Sequence, residues 1–363
     1  PPPPPPSASP SPPPPSASPS PPSASMSPPP SANFSLSSYT LLSQRTLPGV
    51  DDNASGGAVI GATDGSDVLL VVVNGPERLL EYRMPADGGT PVLTQTFTLD
   101  GFHDTEGVAS IAGRTVVITE ERRAALVTVD LPAFGGAVHK SSGVTCDLIY
   151  PPGQSGANGN SGIEGVAYAD AEGAYYAVQE KDPKAFLRID PTTCSVTVPF
   201  DAEDRLGTLD DLAGLTYLPE IDAFFILSHA SLTVAQVTRA GDVIATLPIG
   251  GSQPEGIAFN ADRSRLYVLS EPNHVLTYVS TQQCDEASWP DKDGGLVCGE
   301  CKVLVDNFDS NYGSCDGYCA AIGRSCTGAW EESGDTCTVK HDMACDQSIA
   351  SSDAICECAA LAP

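Results

Sequence analysis

One unit recurs through the middle of the chain, and it restricts the possible folds more than any other feature. Each copy opens on an acidic or polar residue and a glycine, continues into an apolar strand, and then alternates polar turns with further strands. Clear copies begin at Asp104, Gly162, Asp211 and Gln253, and a degenerate copy begins at Gly56. Stretches such as 224–227 and 266–269 are typical of strands. A period of roughly 40–60 residues matches one four-stranded blade of a β-propeller.

The residues in these copies resemble the SdiA-regulated family of β-propellers from about residue 56 to 280. The motifs that carry the resemblance are Glu164-Gly165-Val166-Ala167-Tyr168 with Glu180-Lys181, Leu209-Asp210-Asp211 with Leu227-Ser228-His229, Glu255-Gly256-Ile257-Ala258 with Ser270-Glu271-Pro272-Asn273, and Glu120-Glu121-Arg122. The resemblance implies an all-β propeller over residues 36–283. Five blades are visible, and a sixth is the alternative. We expect residues 39–48 to add an outer strand to the last blade and close the ring.

The first 32 residues are a separate region that consists of 17 prolines, 10 serines, four alanines and Met26. Proline fixes φ and removes a backbone donor, so this composition predicts a stiff polyproline II segment over residues 1–35. One interpretation is a plain spacer. The other comes from a resemblance to the extensin-like, hydroxyproline-rich glycoproteins of plant and green-algal walls, which implies hydroxylation and O-glycosylation. The implied positions are Pro12, Pro13, Pro14, Pro15, Ser16, Ser18, Pro21, Pro22, Pro28, Pro29 and Pro30.

The cysteines mark a third region, residues 284–363. Two of the twelve cysteines, Cys146 and Cys194, lie in consecutive blades and form the one pair that we propose for the propeller. The other ten are predicted to pair among themselves. They are Cys284, Cys298, Cys301, Cys315, Cys319, Cys326, Cys337, Cys345, Cys356 and Cys358. This density is typical of a small secreted domain, and zinc is the disfavoured alternative. The region also resembles Cys-rich modules of secreted algal proteins. A short helix is expected over residues 315–323.

Charge and hydropathy limit the partners of the chain. There are 18 basic and 46 acidic residues, which give a net charge of −28. Nucleic acids and anionic membranes are therefore poor partners, whereas divalent cations or basic partners are better ones, and no apolar run reaches the roughly 18 residues of a membrane span. Two sequons, at Asn33 and Asn53, predict N-glycosylation. Together with the cysteines they predict an extracellular protein, and we expect a targeting segment to have been removed.

The recurring acids are the candidate binding residues. In a blade, the inner strand begins on the face where the second strand ends, so these acids are expected to converge at one mouth of the central channel. The predicted metal ligands are Glu106, Glu121, Glu164, Glu180, Asp211, Glu255 and Glu271. Crowded carboxylates repel one another, and Ca²⁺ prefers oxygen ligands. The alternative is that the acids accept backbone N–H groups of the adjacent blade while each glycine serves a tight turn.

These regions together predict a secreted structural glycoprotein that self-associates into an extracellular fibre, wall or surface appendage. The Pro-rich segment would carry glycans and serve as an axis or docking rod. No nucleophile elbow, phosphate loop or His-Glu-x-x-His motif is present, so we do not expect an enzyme. The alternatives are a cation-dependent propeller hydrolase and a carbohydrate-binding protein tethered to a wall. The sequence names no cofactor with certainty, and Ca²⁺ is the candidate.

Overall fold

The computed structural model describes residues 1, 34–63, 66–152, 161–280, 284, 286–299 and 301–359. The predicted modification sites from Pro12 to Pro30 and the sequon at Asn33 lie outside these ranges. The strands up to residue 280 are β1 (Tyr39–Thr46), β2 (Ala54–Thr63), β3 (Ser66–Val73), β4 (Arg78–Met84), β5 (Val92–Asp100), β6 (Thr105–Ala112), β7 (Thr115–Glu120), β8 (Ala125–Asp130), β9 (Gly136–His139), β10 (Val144–Asp147), β11 (Ile163–Ala169), β12 (Ala174–Gln179), β13 (Ala185–Ile189), β14 (Val196–Thr197), β15 (Gly214–Leu218), β16 (Ala223–Ser228), β17 (Thr233–Val237), β18 (Val243–Pro248), β19 (Pro254–Phe259), β20 (Arg265–Ser270) and β21 (His274–Ser280).

These strands form five sheets within the described residues. Sheet 1 has the order β2-β3-β4-β5-β9, sheet 2 is β6-β7-β8-β10, sheet 3 is β11-β12-β13-β14, sheet 4 is β15-β16-β17-β18, and sheet 5 is β19-β20-β21-β1. Pairing is antiparallel except between β5 and β9. The first strands β2, β6, β11, β15 and β19 contact one another in that order, and β19 returns to β2. The five sheets therefore surround a common axis, and each begins at one copy of the sequence repeat.

The N-terminal strand closes this arrangement, as the sequence predicts. Strand β1 pairs antiparallel with β21, from Tyr39 opposite Ser280 to Thr46 opposite His274. Sheet 5 thus combines strands from the two ends of the domain. Leu36, three residues before β1, is completely buried between sheets 4 and 5. Closing the ring with the two chain ends ties the stability of the last sheet to that of the first strand.

The apolar core lies between neighbouring sheets. The second strands of sheets 3, 4 and 5 are buried along their whole length, because both faces of each sheet pack against another sheet. Their sequences are correspondingly apolar on both faces, as in Phe224, Phe225, Ile226 and Leu227. The outer strand β18, in contrast, is mostly exposed, and Leu247 is its one buried residue. The helical element α1 (Ala202–Arg205) is capped by Asp201 and joins sheet 3 to sheet 4.

The repeated glycines occupy the closest approach between sheets. A Cβ atom placed on any of them would lie no more than 3.0 Å from backbone of the next first strand in the ring. The glycines and the residues that they meet are Gly56 with Glu106, Gly107 with Glu164, Gly165 with Leu215, Gly214 with Glu255, and Gly256 with Ser55. None of these glycines has a positive φ. The expectation that they serve tight turns is therefore wrong, since their role is to let neighbouring backbones touch.

Cys146 and Cys194 form a disulfide that joins sheet 2 to the turn before β14 of sheet 3. The bridge closes a segment with a sequence separation of 48 residues. The bridge lowers the conformational entropy of the unfolded chain, which raises the free energy of unfolding by about 4 kcal/mol for a loop of this length.

The C-terminal region has its own sheet, in the order β22-β23-β26-β24-β25. Its strands are β22 (Lys292–Gly299), β23 (Lys302–Val305), β24 (Cys326–Glu332), β25 (Val339–Met343) and β26 (Ala354–Cys358). A π-helical turn, Phe308–Tyr312, precedes α2, Cys315–Ala321. This helix ends at Ala321, close to the expected boundary, with Ile322 as its C-cap, and Gly323 follows with a φ of +72°.

Five disulfides hold this small region together, and they use all ten of its cysteines. The pairs are Cys284–Cys301, Cys298–Cys337, Cys315–Cys356, Cys319–Cys358 and Cys326–Cys345. Two residues four apart on a helix share a face, as do two residues two apart on a strand. Cys315 and Cys319 of α2 therefore meet Cys356 and Cys358 of β26 as two parallel bridges. Within the described residues, no helix has the length and apolar character of a membrane span.

We predict that Gly107→Ala destabilises the domain by about 1–3 kcal/mol, because the added methyl group would lie 2.3 Å from the backbone carbonyl oxygen of Glu164 and the backbone would have to shift. Urea unfolding followed by fluorescence measures this loss. Gly250→Ala is the control, since its nearest contact is a flexible atom of Leu276 at 3.3 Å. Equal losses in the two variants would contradict the close-approach account.

Candidate functional site

Two sets of side chains meet where the first strands begin, and we call this end of the ring the acidic mouth. The first set precedes the repeated glycines and comprises Ser55, Glu106, Glu164, Ala213 and Glu255. The second set directly follows the second strand of each sheet and comprises Asn74, Glu121, Glu180, His229 and Glu271. Six of these ten residues are glutamates. The register of the sheets places them all at one end of the ring because β6, β11 and β19 begin opposite the ends of β7, β12 and β20.

Side chains of one sheet contact the next sheet across this mouth. The Nδ2 group of Asn74 donates to Oε1 of Glu106 at 2.6 Å. His229 Nδ1 lies 3.1 Å from Oε1 of Glu255. The Glu121 carboxylate accepts the backbone N–H of Gly162 at 2.9 Å. The alternative structural role of the acids thus holds for Glu121, whereas Glu106 and Glu255 pair with side chains.

Glu164 differs from the other glutamates because none of the described residues donates a hydrogen bond to its carboxylate. Burial raises its pKa well above the ordinary range, and the charges of Glu106, Glu121, Glu255 and Glu180 raise it further. A carboxylate in this position is unfavourable in its ionised form. At neutral pH the group therefore favours a proton or a nearby cation.

The neighbouring glutamates show the same effect to a smaller degree. Burial raises the pKa of Glu106 to about 7 despite the hydrogen bond from Asn74. Burial also raises the pKa of Glu121 to about 7, and the charge of Asp104 adds to it. Glu255 reaches a pKa of about 8 through burial and then through the charges of Glu271 and Glu106. With pKa values near physiological pH, these carboxyl groups share protons among themselves. The mouth therefore carries less negative charge than its number of glutamates would give.

Asp104 completes the densest part of the mouth, and the sequence prediction missed it. Carboxylate oxygens of Asp104, Glu106 and Glu121 all lie within 4.8 Å of one another. Asp104 is buried and has a φ of 57°. It accepts an N–H from Arg122 and pairs with the guanidinium of that residue at 3.0 Å. Three hard oxygen ligands at this spacing suit a divalent cation such as Ca²⁺.

Asp211 lies in a different position from the one expected for it. It precedes Gly214 by three residues, so Ala213 takes the place that Glu106 and Glu164 occupy in their sheets. The Asp211 carboxylate accepts from the hydroxyl of Ser228 at 2.6 Å and from the backbone N–H of Ala230. These bonds shape the turn after β16. Glu180 pairs with Lys181 at 2.5 Å, and Glu271 is half-buried with a pKa raised by burial.

Asn53, the second predicted N-glycosylation site, borders this mouth. Its side-chain N–H donates to the carbonyl oxygen of Asn74 at 2.9 Å, and its φ is 57°. Asn53 occupies the same place in sheet 1 as Asp104 does in sheet 2, because the N–H groups of Asn74 and Glu121 donate to their respective carbonyls. The amide of Asn53 thus takes part in the turn that precedes the first strand.

The sequence profile of the SdiA-regulated family matches residues 31–278, which is more than half of the chain. The chain belongs to the SdiA-regulated family. The match covers all five sheets, β1 included, and ends before the disulfide-rich region. The SdiA-regulated domain is thus the β-propeller-like part of the molecule, and it contains every residue of the acidic mouth.

Three solved structures that are similar to this SdiA-regulated chain have identities of 14% and 16%. A chain of the nidogen/laminin complex is 14% identical with a TM-score of 0.40, over 60% of this chain and 72% of that one. A protein of unknown function from Bacteroides thetaiotaomicron is 16% identical with a TM-score of 0.39, over 64% and 58%. A gluconolactonase from Xanthomonas campestris is 16% identical with a TM-score of 0.41, over 64% and 78%.

We predict that the melting temperature falls as pH rises from about 5 to about 9 in the presence of chelator. The folded-state pKa values of Glu106, Glu121 and Glu255 lie above the ordinary value near 4.3. The folded state therefore binds protons more tightly than the unfolded state in this window, and deprotonation destabilises it. Calorimetry across this pH range measures the slope.

Glu164→Gln should raise the melting temperature at pH 9 and change little at pH 5, because it removes one of the mutually repelling charges. Asp170→Asn is the control, since Asp170 is an exposed acid in the turn that joins β11 to β12. A melting temperature that is flat or rises over the same pH window would contradict the shared-proton description of the mouth.

Proposed function

We propose that this protein is a secreted structural glycoprotein and a subunit of an extracellular fibre, wall or surface-appendage assembly. In this proposal the five sheets are the five blades of a closed propeller. The Pro/Ser-rich segment is a polyproline II rod, hydroxylated and glycosylated, and it serves as the axis or docking segment. The disulfide-rich region supplies a further contact surface.

The observation that carries the proposal is that the C-terminal end of the Pro/Ser-rich segment is anchored in the core of the body. Phe34 packs edge-on against Phe225 and Phe259, with ring centroids 5.3 and 6.0 Å apart, and it also contacts Tyr39. Leu36 is completely buried, and β1 then pairs with β21 along its length. A segment used only as a loose spacer does not need an anchor inside the core of the domain. An anchored segment can transmit force between subunits.

The positions of the two attached regions support assembly as well. The chain enters β1 and leaves β21 at the same end of sheet 5, where the hydroxyls of Ser38 and Ser280 lie 2.8 Å apart. Glu255 and Glu271 belong to the other end of that sheet. The body therefore has two different faces, one with both attachments and one with the acidic mouth. Two different faces favour heterologous contacts between subunits. Such contacts extend into filaments when the rotation that relates one subunit to the next does not close a ring.

The disulfides and the surface charge agree with an extracellular site. Six disulfides are typical of a protein that folds in an oxidising compartment. A net charge of −28 keeps separate bodies apart at low ionic strength, so rods, glycans or cations would have to bring them together.

We expect deletion of residues 1–32 to abolish fibres while the remaining body still folds and unfolds cooperatively, because every described contact from Phe34 onward is retained. Electron microscopy of secreted material gives the first readout and calorimetry the second. Replacing residues 1–32 with an equally long Gly-Ser segment is the control for length, and it should fail to assemble as well. Fibres that survive either change would exclude the rod as the axis.

Cation binding at the acidic mouth is a second candidate function, and the raised pKa values of Glu106, Glu121, Glu164 and Glu255 favour it. A divalent cation would replace the shared protons and relieve the repulsion among these groups. In this role the mouth would link subunits through Ca²⁺ or hold a substrate that carries the cation.

If this second proposal holds, Ca²⁺ should raise the melting temperature at pH 8 through mass action. Glu164→Gln combined with Glu255→Gln should remove most of that rise, whereas Asp170→Asn should leave it intact. Calorimetry with Ca²⁺ and with chelator makes the comparison. A Ca²⁺ response that is identical in all three proteins would place the cation elsewhere.

A further inference from the structure

The two ends of the ring are separated from each other, and the end opposite the acidic mouth has a cavity of its own. Near the axis the first strands leave a space of only about 10 Å³, lined by Gly56, Gly107, Gly165, Gly214 and Gly256 among others. Beyond this constriction lies a cavity of about 370 Å³, which we call the far cavity. It is formed by the later halves of the first strands and by the turns that follow them. Its size is within the roughly 300–1,000 Å³ of pockets that enclose small ligands.

The lining of the far cavity contrasts with the acidic mouth. Glu220 is the one charged residue that lines it among the described residues. The lining includes the half-buried rings of Tyr168 and Tyr217 and the side chains of Ser110 and Thr216. The Tyr217 hydroxyl is already bonded to Arg239 and Asp222. In a molecule of net charge −28, a cavity of this composition suits an uncharged ligand.

Three hydroxyls of the far cavity are free to donate. No described residue forms a hydrogen bond with the hydroxyls of Ser110, Tyr168 or Thr216. A proline-rich segment in polyproline II form offers backbone carbonyl acceptors and, at its prolines, no backbone donors. Aromatic rings beside such carbonyl-binding groups are the usual means of recognising this kind of segment. The cavity and the Pro/Ser-rich segment are thus complementary in charge, in hydrogen-bonding groups and in apolar surface.

The attachment point brings this segment to the cavity. Phe34 contacts the ring of Phe259, and Phe259 itself lines the far cavity. The prolines nearest to Phe34 are Pro28, Pro29 and Pro30. In polyproline II form, at about 3.1 Å per residue, they would lie roughly 12–19 Å along the chain from Phe34. The block from Pro12 to Pro15 is at least 19 residues away, and a segment of that form would not fold back over that distance. The short tether gives the near block a high effective concentration at the cavity.

We propose that the far cavity is a docking site for the chain's own Pro28-Pro29-Pro30 block. This inference rests on the proposed function only in treating the segment as polyproline II. Docking would fix the direction in which the rod leaves the body. Hydroxylation adds one oxygen to each ring and fits this site, whereas a sugar chain on these three residues does not. The proposal therefore assigns the glycans to the blocks before residue 28.

Hydrogen exchange of the full-length chain, produced without prolyl hydroxylation, tests the docking. Pro28→Ala, Pro29→Ala and Pro30→Ala are combined in one variant, and Pro13→Ala, Pro14→Ala and Pro15→Ala in the matched control. Amides of residues 166–170 and 214–221 should exchange about three- to tenfold faster in the first variant than in the wild type, and at the wild-type rate in the control. Both variants change residues outside the folded body, so amides of the disulfide-rich region, such as those of β26, serve as an internal reference and should exchange at the same rate in all three chains.

Tyr168→Phe provides a second comparison. It removes one donor, so it should speed exchange at residues 214–221 in the wild-type background and have no added effect in the Pro28–30 variant. Wild-type exchange in both proline variants would overturn the proposal, as would equal acceleration in both. Protection that disappears on dilution would also overturn it, because the occupant would then be the segment of a second copy. Fibre formation is not part of these readouts, so a failed docking test and a failed fibre test are distinguishable.

Discussion

The contact on which the rest of this structure depends is the approach of five first strands, backbone against backbone, at five glycines. Because Gly107 and its equivalents carry no Cβ, each strand touches the carbonyl or amide groups of the next sheet. This approach almost closes the axis and separates the two ends of the ring. It also brings the residues before the glycines within reach of one another, which is why Glu106, Glu164 and Glu255 lose solvent and have raised pKa values. The chemistry of the mouth follows from the packing at the axis.

Farther from the axis, each pair of neighbouring sheets is held by different chemistry. Sheets 1 and 2 share the Glu81–Arg114 ion pair at 2.9 Å, and sheets 2 and 3 share the Cys146–Cys194 disulfide. Arg239 of sheet 4 donates to the Tyr176 hydroxyl of sheet 3 at 2.9 Å. Sheets 4 and 5 meet through Phe225 and Phe259, whose ring centroids are 4.7 Å apart, and Tyr267 of sheet 5 donates to Asp67 of sheet 1. Because each interface uses different side chains, the sheets fit together in one order around the ring. The residues of the repeat can therefore differ from sheet to sheet, except at the glycines where the first strands touch.

The sequence predicted the parts of the fold that depend on local pattern. The repeat with its glycine located the start of every sheet, the spacing of the cysteines separated the last eighty residues, and Cys315-x₃-Cys319 indicated α2. It did not predict the role of the glycines, because a turn and a close backbone approach select the same residue. It placed Asp211 among the mouth ligands since sequence spacing alone cannot tell Asp211 from Ala213. It missed Asp104, whose part in the mouth depends on a left-handed backbone and on Asn74 and Glu121 from other segments.

The central claim of this account is that packing at the axis forces the glutamates of the mouth to share protons. The most direct measurement is a carbon-13 NMR titration of the glutamate carboxyl groups in the intact chain, with chelator present. The account predicts that Glu106 and Glu121 titrate near pH 7 and Glu255 near pH 8, well above the value of about 4.3 for a glutamate in a solvated peptide. If all glutamate carboxyls titrate together below about pH 5, the mouth is open to solvent and the account is wrong.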